Sequence, residues 1–477
     1  MRLELRGHDE RYAVEQLQLA LFPDVPDEDG GAVCSLFRGG TWLTAKVKID
    51  LNGRSAHACR RLRVQEAQDA SPLRRLLQNT YYEAAVQLRE PPEWGSLSGV
   101  RPTKLATRAL LAGEDPAQAF RLMRERYHVR PERARLCVEC AEQTVEAVRR
   151  LRDTDISLYI GIPFCPTRCA YCSFVSASVE KTAALLPPYL DALERELVHT
   201  ARLLRDSGKT LRTLYIGGGT PTVLSAEQFR HLQDAIFTHF DRSSLIEYTV
   251  EGGRPDTLDE EKLRVIRTGG ATRMSINPQT MNDAVLAAVG RRHSAAQTVA
   301  AFRQARAAGF DEINMDLIAG LPGDTETSFL HSLQQVLELG PENVTVHTLA
   351  LKKGADLFFA RTGLPDAAQV RQMLSGAEEM LRAAGYAPYY LYRQKYMSGS
   401  FENVGWCRPG TACLYNVYMM EELHSIVSLG GGGMTKINLP DGSLVRLHNP
   451  KFPQQYIDRI DDVLLRKDEA FALLRGK

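Results

Sequence analysis

The sequence predicts an α/β fold, a partial (β/α)6 barrel with an N-terminal α+β and helical module and a C-terminal cap. Three observations predict it. Six apolar strand candidates alternate with helical segments between residues 154 and 352. Short strands followed by Arg-rich helices precede this stretch, and the alternation fades after it. Parallel strands joined by helices form one open or closed sheet, whose functional residues lie where the strands end.

Four regions follow from these patterns. Alternating apolar residues such as Trp42, Leu43, Ala45, Val47 and Ile49 predict strands near the start of the chain. A helical period replaces them further on. The regions are a small α+β module (1–80), a helical connector (81–153), the barrel (154–352) and a C-terminal substrate cap (353–477). The predicted barrel strands are Ile156–Gly161, Leu211–Ile216, Ile246–Glu251, Thr272–Asn277, Glu312–Ile318 and Val344–Leu351.

Composition and charge exclude several classes of protein. The chain has 477 residues, of which 44% are hydrophobic and 25% charged, so disordered, collagen-like and low-complexity classes are excluded. Lys plus Arg is 59 and Asp plus Glu is 58. A formal charge of +1 provides no global field to attract nucleic acid or an acidic membrane. We therefore expect no nucleic-acid partner.

The sequence also indicates a cytoplasmic location. No apolar run approaches the roughly 18 residues of a membrane span. The first 14 residues are charged where a secretory signal would need an apolar stretch. Nine cysteines, an odd number, do not indicate a disulfide framework in a chain of this size. Three of them lie within eight residues, which suggests metal binding.

The strongest chemical signal is the segment CPTRCAYC, which places Cys165, Cys169 and Cys172 just after the first predicted barrel strand. Three thiolates in one tight loop suit a [4Fe-4S] cluster, in which each Cys binds one iron and the fourth iron is open to another ligand. Zinc is the alternative metal. A structural zinc site would need a fourth Cys or His nearby, and none follows closely.

Further polar and glycine motifs follow the later strands. The run Gly217–Thr220 ends the second strand, and glycines there let a ligand approach backbone groups. Glu251 ends the third strand, Gln279 follows the fourth, Arg291 lies beyond it and Asp316 lies within the fifth. Taken singly, an acid here could cap a helix and the arginine could be solvated.

The order and spacing of these motifs resemble the radical S-adenosylmethionine (radical SAM) superfamily. With YIGIPFC before the cysteines, they resemble the oxygen-independent coproporphyrinogen III oxidases and their relatives, which include haem chaperones. The resemblance is most detailed to the HemZ branch, the coproporphyrinogen dehydrogenases. It extends to SGVRPTKLATR, VEGGRPDT, YYLYRQKYM, ENVGWCRPG and LGGGGM, and so covers nearly the whole chain.

This resemblance implies a TIM-like radical SAM barrel with two cofactors, a [4Fe-4S] cluster and S-adenosylmethionine. The cluster ligands would be Cys165, Cys169 and Cys172. The cofactor contacts would be Tyr159, Phe164, Tyr171, Gly218, Gly219, Thr220, Glu251, Gln279, Arg291 and Asp316.

The activity implied by the resemblance is the conversion of coproporphyrinogen III into protoporphyrinogen IX. A 5′-deoxyadenosyl radical takes a hydrogen from a propionate, which then loses an electron and carbon dioxide and becomes a vinyl group. Two alternatives stay open, a haem-binding chaperone without oxidase activity and a radical enzyme acting on another tetrapyrrole such as haem. A low-potential electron donor protein, such as a flavodoxin or ferredoxin, is the implied partner.

The tail contains the candidate substrate contacts Arg393 and Lys395, which lie among tyrosines that include Tyr389 and Tyr390. A tetra-anionic tetrapyrrole needs cations and flat apolar walls, and this stretch could provide both. An aromatic core strand with solvated charges is an equally good interpretation.

Several features depart from the family pattern or stay unassigned. Gly161 stands where better-known members have a His, and Asn277-Pro278 replaces the usual Gly-Val. The N-terminal module differs from that of the authentic coproporphyrinogen enzymes, and we expect it to be a scaffold or a docking surface for the electron donor. The remaining paired cysteines, expected in the core rather than on a metal, are Cys137, Cys140, Cys407 and Cys413.

Overall fold

The computed structural model describes residues 1–475 except 24, 67–69, 175, 353, 361–362 and 395–400. It divides into two compact units. The described part of the first comprises residues 1–142, 392–394 and 401, and that of the second comprises residues 143–391 and 402–475. Within the described ranges, no helix combines the length and apolar character needed to cross a membrane.

The first unit is built on a four-stranded sheet of order β1-β2-β3-β4. Its strands are β1 (Arg2–Arg6), β2 (Gly30–Gly39), β3 (Trp42–Leu51) and β4 (Arg54–Arg63). Its helices are α1 (Arg11–Leu21), α2 (Ala70–Ala85), α3 (Thr103–Leu111), α4 (Pro116–Arg121) and α5 (Pro131–Arg149, which continues into the second unit). Val47 and Ile49 on β3 pack with Val14 of α1 and Leu77 of α2 in one apolar core. Lys46 and Lys48, which alternate with these residues on β3, face solvent.

The second unit contains all six predicted parallel strands. They are β5 (Asp155–Ile162), β8 (Thr210–Gly218), β9 (Glu247–Gly253), β10 (Arg273–Ile276), β11 (Glu312–Ala319) and β12 (Asn343–Thr348). Each pairs in parallel with the next along the chain. The predicted α/β class and parallel sheet are therefore confirmed.

Helices follow these strands as the βαβ pattern requires. They are α6 (Val179–Thr182), α7 (Leu186–Arg205), α8 (Ala226–His239), α9 (Glu260–Thr268), α10 (Asp283–Ala288), α11 (Ala295–Ala307), α12 (Glu326–Leu339) and α13 (Leu357–Ala360). Ser225 and Ser294 form capping boxes at the starts of α8 and α11, which fixes where these helices begin.

The C-terminal region adds strands to both edges of this sheet. These are β13 (Ala387–Arg393), β14 (Glu402–Cys407), β15 (Ile426–Leu429), β16 (Met434–Asn438) and β17 (Leu444–His448). β14 runs antiparallel to β12, and β15 runs parallel to β5. Its helices are α14 (Ala367–Ala383), α15 (Leu414–Glu421), α16 (Pro453–Asp458) and α17 (Ile460–Leu474). Among the described residues the sheet order is β13-β14-β12-β11-β10-β9-β8-β5-β15-β16-β17.

Alternation along the six parallel strands separates two faces. The apolar series includes Ile160, Ile216 and Val250, which are fully buried. The other series is polar, and we call it the polar face. Toward the carboxyl ends of the strands it consists of Tyr159, Tyr215, Thr249, Glu251, Ser275, Asn314, Asp316, Thr345 and His347.

Candidate functional site

The cysteine loop follows β5 at the carboxyl edge of the sheet, as predicted. Two short strands, β6 (Phe164–Cys165) and β7 (Ala177–Ser178), pair across the base of the loop. Inside it, the Ala170 N–H donates to Val289 O at 3.0 Å, and Ala170 O accepts from Leu357 N–H at 3.0 Å. Segments that follow β10 and β12 therefore hold the loop in place.

The three thiols lie close enough to influence each other electrostatically. Burial, with a smaller contribution from the Cys169 and Cys165 thiols, raises the pKa of Cys172 to about 11. Burial also raises the pKa of Cys165. Buried neighbouring thiols ionise together only beside a cation, and a coordinating metal deprotonates a thiol outright. The donor set thus fits a positively charged iron core.

A single ion fits these thiols less well than a cluster does. Among the described residues, no group of three or more His, Cys, Asp or Glu side chains could hold one metal ion. One tetrahedral ion needs all its ligands at about 2.0–2.3 Å from a common point. In a [4Fe-4S] cluster each thiolate binds a different iron, so the sulfur atoms stand further apart.

The glycine run at the end of β8 lets this strand approach the cysteine loop. A Cβ at Gly219 would lie 2.4 Å from Phe164 O. The Gly219 N–H donates to Ile162 O at 2.9 Å, and the Thr220 N–H donates to Phe164 O at 2.7 Å. The Thr220 hydroxyl donates to Cys165 Sγ at 3.5 Å. The run therefore has a structural role in addition to the ligand contacts implied by the resemblance.

Two acids on the polar face have opposite pKa shifts. Burial, assisted by the charge of Asp316, raises the pKa of Glu251 to about 8. The pKa of Asp316 is lowered overall. Burial by itself would raise it, but hydrogen bonds from His347 and Asn314 to the carboxylate outweigh that effect. Asn314 Nδ2 donates to Asp316 Oδ1 at 2.7 Å. At neutral pH, Glu251 is thus a hydrogen-bond donor and Asp316 an acceptor, a separation typical of functional sites.

Gln279 and Arg291 lie beyond the end of β10. Gln279 adopts φ +70° and bridges to β11, since its N–H donates to Asp316 O and its C=O accepts from Ile318 N–H, both at 2.9 Å. The Arg291 guanidinium donates to Asn277 O and to Pro278 O. Both predicted side chains are buried at this edge.

Several buried polar atoms around this edge have no hydrogen-bond partner among the described residues. They are Thr249 Oγ1, Ser275 Oγ, Asn277 Oδ1, Gln279 Oε1 and Arg291 Nε. Native proteins satisfy almost all such atoms with protein, water or ligand. A ligand with hydroxyl, amino and carboxylate groups would satisfy them, so the site fits S-adenosylmethionine.

A stack of three tyrosines, which was not predicted as a set, lies on the polar face. Tyr215 lies 4.6 Å from Tyr415 and 6.1 Å from Tyr159 between ring centroids, with the rings nearly parallel. The charge of Glu251 raises the pKa of all three, after the larger effect of burial. Tyr215 could have been found, since it precedes Gly217 by two residues and shares its face. Tyr415 belongs to α15 and carried no local signal.

Phe164 and Tyr171, the two other aromatic residues predicted to contact the cofactor, both lie in packed surroundings. Phe164 is fully buried edge-on against Tyr189, with centroids 5.2 Å apart. Tyr171 packs against an apolar cluster that includes Ile318 and Leu321. Both predicted cofactor contacts thus lie on or beside the cysteine loop, in packed surroundings.

The structure explains Gly161. A Cβ at Gly161 would lie 3.1 Å from Gly431 O, and one at Gly430 would lie 2.3 Å from Gly161 O. The Tyr189 hydroxyl donates to Gly161 O at 2.6 Å and accepts from Gly431 N–H at 2.8 Å. The turn after β15 thus fills the space beside this strand, and the Gly430–Gly433 run permits the close approach.

The turn is fixed by a buried carboxylate on α7. Glu196 Oε2 accepts from Gly430 N–H at 2.7 Å and from the Tyr456 hydroxyl at 2.5 Å. Glu196 Oε1 lies 2.9 Å from Lys467 Nζ and accepts from Asn449 Nδ2 at 2.9 Å. Glu196 and Lys467 are both almost fully buried, so this ion pair is shielded from water.

The two candidate substrate contacts are Arg393 and Lys395. In the first unit, the Arg393 guanidinium donates to Leu97 O at 2.8 Å and lies 5.5 Å from the Trp94 ring. Lys395 lies outside the described residues. Tyr389 and Tyr390 are buried, as the core-strand interpretation requires.

The four paired cysteines, Cys137, Cys140, Cys407 and Cys413, are buried. Cys137 and Cys140 lie on α5 with no exposed surface. The Cys413 thiol donates to Glu247 Oε1 at 3.3 Å, and the same carboxylate accepts from Leu414 N–H at 2.7 Å at the start of α15. Cys413 thus helps to seat α15 against the sheet.

Comparisons with known proteins agree with this geometry. Residues 159–336 match the profile of the radical SAM superfamily. The chain is 38% identical, over 77% of its length, to the oxygen-independent coproporphyrinogen-III oxidase-like protein HemZ of Bacillus subtilis and covers 75% of it. It is 29% identical to the heme chaperone HemW of Haemophilus influenzae, over 63% of this chain and 76% of that one.

Among solved structures, the coproporphyrinogen III oxidase HemN of Escherichia coli, described as a radical SAM enzyme, aligns with a TM-score of 0.54. Its identity is 24%, over 69% of this chain and 78% of that one, and it therefore shows a shared fold. The site and the similarity to HemZ lead to one conclusion: the chain belongs to the radical SAM superfamily, which uses a [4Fe-4S] cluster and S-adenosylmethionine, and within it to the HemN and HemZ family.

Proposed function

We propose that the chain catalyses the oxygen-independent oxidative decarboxylation of coproporphyrinogen III to protoporphyrinogen IX. In each of two propionates, loss of one hydrogen atom, one electron and carbon dioxide leaves a vinyl group. The observation that supports this best is the meeting of the cysteine loop, Glu251 and Asp316 at one edge of the sheet. The glycine run at the end of β8 joins the first two, since Thr220 Oγ1 donates to Cys165 Sγ at 3.5 Å and Gly218 N–H donates to Glu251 Oε2 at 3.3 Å. The similarity to HemZ favours this substrate over others.

The cofactors supply the radical chemistry, since a reduced cluster with S-adenosylmethionine provides a 5′-deoxyadenosyl radical. The protein's own residues bind and orient. Cys165, Cys169 and Cys172 would hold three of the four irons. Glu251, as a carboxylic acid, can donate to a ligand oxygen, and Asp316, as a carboxylate, can accept from a hydroxyl or ammonium group.

The tyrosine stack would limit water at the reacting edge. Tyr415 is buried against Tyr215, and the two rings form an apolar wall beside Glu251. Excluding water strengthens the electrostatic interactions inside a site and prevents side reactions of reactive species. Turnover also needs an electron for each cleavage, for which we propose a low-potential electron donor protein.

An anaerobic assay tests the substrate. The chain with reconstituted cluster receives dithionite, S-adenosylmethionine and coproporphyrinogen III, and mass spectrometry follows 5′-deoxyadenosine and protoporphyrinogen. We expect both products from the wild type and neither from Cys169→Ala. Cys59→Ala is the matched control, because Cys59 is an exposed cysteine of the first unit.

The other outcomes separate the alternatives. Deoxyadenosine without a vinyl product would reject coproporphyrinogen III while keeping the radical chemistry. Stoichiometric haem binding with neither product would favour a haem chaperone, the function named for the HemW relatives.

A further inference from the structure

A buried arginine that the family motifs do not explain lies beneath the cysteine loop. Arg254 follows β9 and is only 2% exposed. Its Nε donates to Asp256 Oδ1 at 2.9 Å, and its Nη2 donates to Asp256 Oδ2 at 2.6 Å. Its Nη1 donates to Thr167 Oγ1 at 2.7 Å. Since Thr167 lies between Cys165 and Cys169, this arginine is tied directly to the loop.

The bond to Thr167 belongs to a chain of contacts. The Thr167 hydroxyl also reaches Gly290 O at 3.5 Å. Arg254 therefore links the end of β9, through the loop, to the segment after α10. A planar guanidinium with a bidentate carboxylate on one side and a hydroxyl on the other has little freedom to move.

The charges in this region do not balance. Three charged groups of the described residues act on His293 in this region, namely Arg254, Asp256 and Arg291, which is also buried. Burial, assisted by the charge of Arg291, lowers the pKa of His293 to about 4, so this imidazole is neutral near pH 7. Two guanidinium groups therefore face one carboxylate, and the region carries a net positive charge next to the thiols.

This charge lies beside the cysteine loop, because Arg254 Nη1 donates to Thr167 Oγ1 at 2.7 Å and Thr167 is two residues from Cys165 and from Cys169. An anionic cluster on the three cysteines would balance the excess charge. Reduction adds one more negative charge to a cluster, and a fixed cation in a low-dielectric region stabilises that state.

We propose that Arg254 is a positioning residue for the cluster. It holds the cysteine loop through Thr167, and its buried charge stabilises the reduced cluster relative to the oxidised one. This inference rests on the radical SAM chemistry of the proposed function but not on the identity of the substrate.

The test is a redox titration of the cluster in the full chain, followed by electron paramagnetic resonance without S-adenosylmethionine. In Arg254→Gln, the ratio of reduced to oxidised cluster at the wild-type midpoint should fall at least tenfold, which is about 59 mV for a one-electron couple. Asp256→Asn should shift the ratio the opposite way, because it removes the neutralising carboxylate. Arg254→Lys keeps the charge and should stay near the wild type.

The variant Thr167→Val removes the hydrogen bond between Arg254 and the cysteine loop but keeps the charge of Arg254. Its ratio of reduced to oxidised cluster should therefore equal that of the wild type. It should lose iron to a chelator faster, because the loop is held less firmly. The inference would be overturned if folded Arg254→Gln had the wild-type ratio of reduced to oxidised cluster. It would also be overturned if Arg254→Gln and Asp256→Asn shifted this ratio in the same direction. If Arg254→Gln retains no cluster, the direction of the Asp256→Asn shift decides.

Failure of the proposed function would look different. A wild type that holds a cluster and responds to Arg254→Gln, but makes no vinyl product, would leave the Arg254 inference standing and reject the substrate.

Discussion

In the sheet of the first unit, β3 alternates Val47 and Ile49 with Lys46 and Lys48, and the charged series faces water. In the parallel sheet of the second unit, strands alternate in the same way. There the polar series is buried or half-buried, and it carries the partly accessible Glu251 and Asp316 with shifted pKa values. Polar side chains that face water form hydrogen bonds with the solvent. Polar side chains that are covered need hydrogen-bond partners from the protein or from a ligand. The comparison teaches that the covered polar face marks the site.

The largest effect should come from breaking the buried ion pair that supports the second sheet. Glu196→Gln leaves Lys467 buried without its charge partner and should lower the free energy of unfolding by about 3–5 kcal/mol. Glu146→Gln is the control, since its pair with Arg150 is exposed and should cost about 0.5 kcal/mol or less. Equal losses for the two variants in urea unfolding would contradict the account.

In the sheet of the first unit, a substitution on the buried face should destabilise the chain more than one on the face exposed to solvent. Ile49→Ala removes a fully buried side chain from the apolar core and should cost about 3 kcal/mol. Lys48→Ala, one residue away on the solvent face, should change stability by about 0.5 kcal/mol or less. Hydrogen exchange of the β3 backbone amides measures the stability loss in each of these two variants. Comparable protection in the two variants would mean that the faces are not distinct.

The turn beside Gly161 should be sensitive to one added methyl group. Gly430 and Gly442 have φ of +83° and +80°, but only Gly430 would place a Cβ against backbone, whereas nothing lies within 4 Å at Gly442. Gly442→Ala should cost about 1 kcal/mol from backbone strain, and Gly430→Ala about 2 kcal/mol more from the clash. Thermal unfolding measures the difference, and its absence would show that the turn is not tightly packed.

The smallest effect concerns pH. Glu251 has a folded-state pKa of about 8 against an ordinary value of 4.5, so the folded chain keeps a proton that the unfolded chain releases. Its stabilising contribution is full below pH 4.5 and is lost as pH rises toward 8, by about 1 kcal/mol per pH unit. Glu251→Gln should remove this loss between pH 6 and pH 7, in unfolding experiments without cofactors. An unchanged pH slope would show that Glu251 ionises normally.

Features that depend on a local sequence pattern could be predicted from the sequence. The six strands are visible because apolar runs lie between turns and helices, and the cysteine loop is visible because its spacing is short. Gly161 was recognised as unusual, but its reason lies in the turn at Gly430, far along the chain. Strand β15, which has four residues, was missed because so short a run carries no period of its own.

The site was predictable only in part for the same reason. Glu251, Gln279 and Asp316 follow strands and could be located by order. Arg254 lies within the VEGGRPDT motif, yet its role depends on a contact with Thr167 that spacing does not show. Tyr415 reaches the polar face from α15, and no local pattern indicates which way that helix packs.

The most direct test of the central claim is the electron paramagnetic resonance of the reduced chain, before and after addition of S-adenosylmethionine, with iron and zinc measured on the same sample. We predict one [4Fe-4S] cluster per chain, a spectrum that changes when S-adenosylmethionine binds, and loss of both in Cys169→Ala. Bound zinc in place of iron, or a cluster whose spectrum ignores S-adenosylmethionine, would contradict the account.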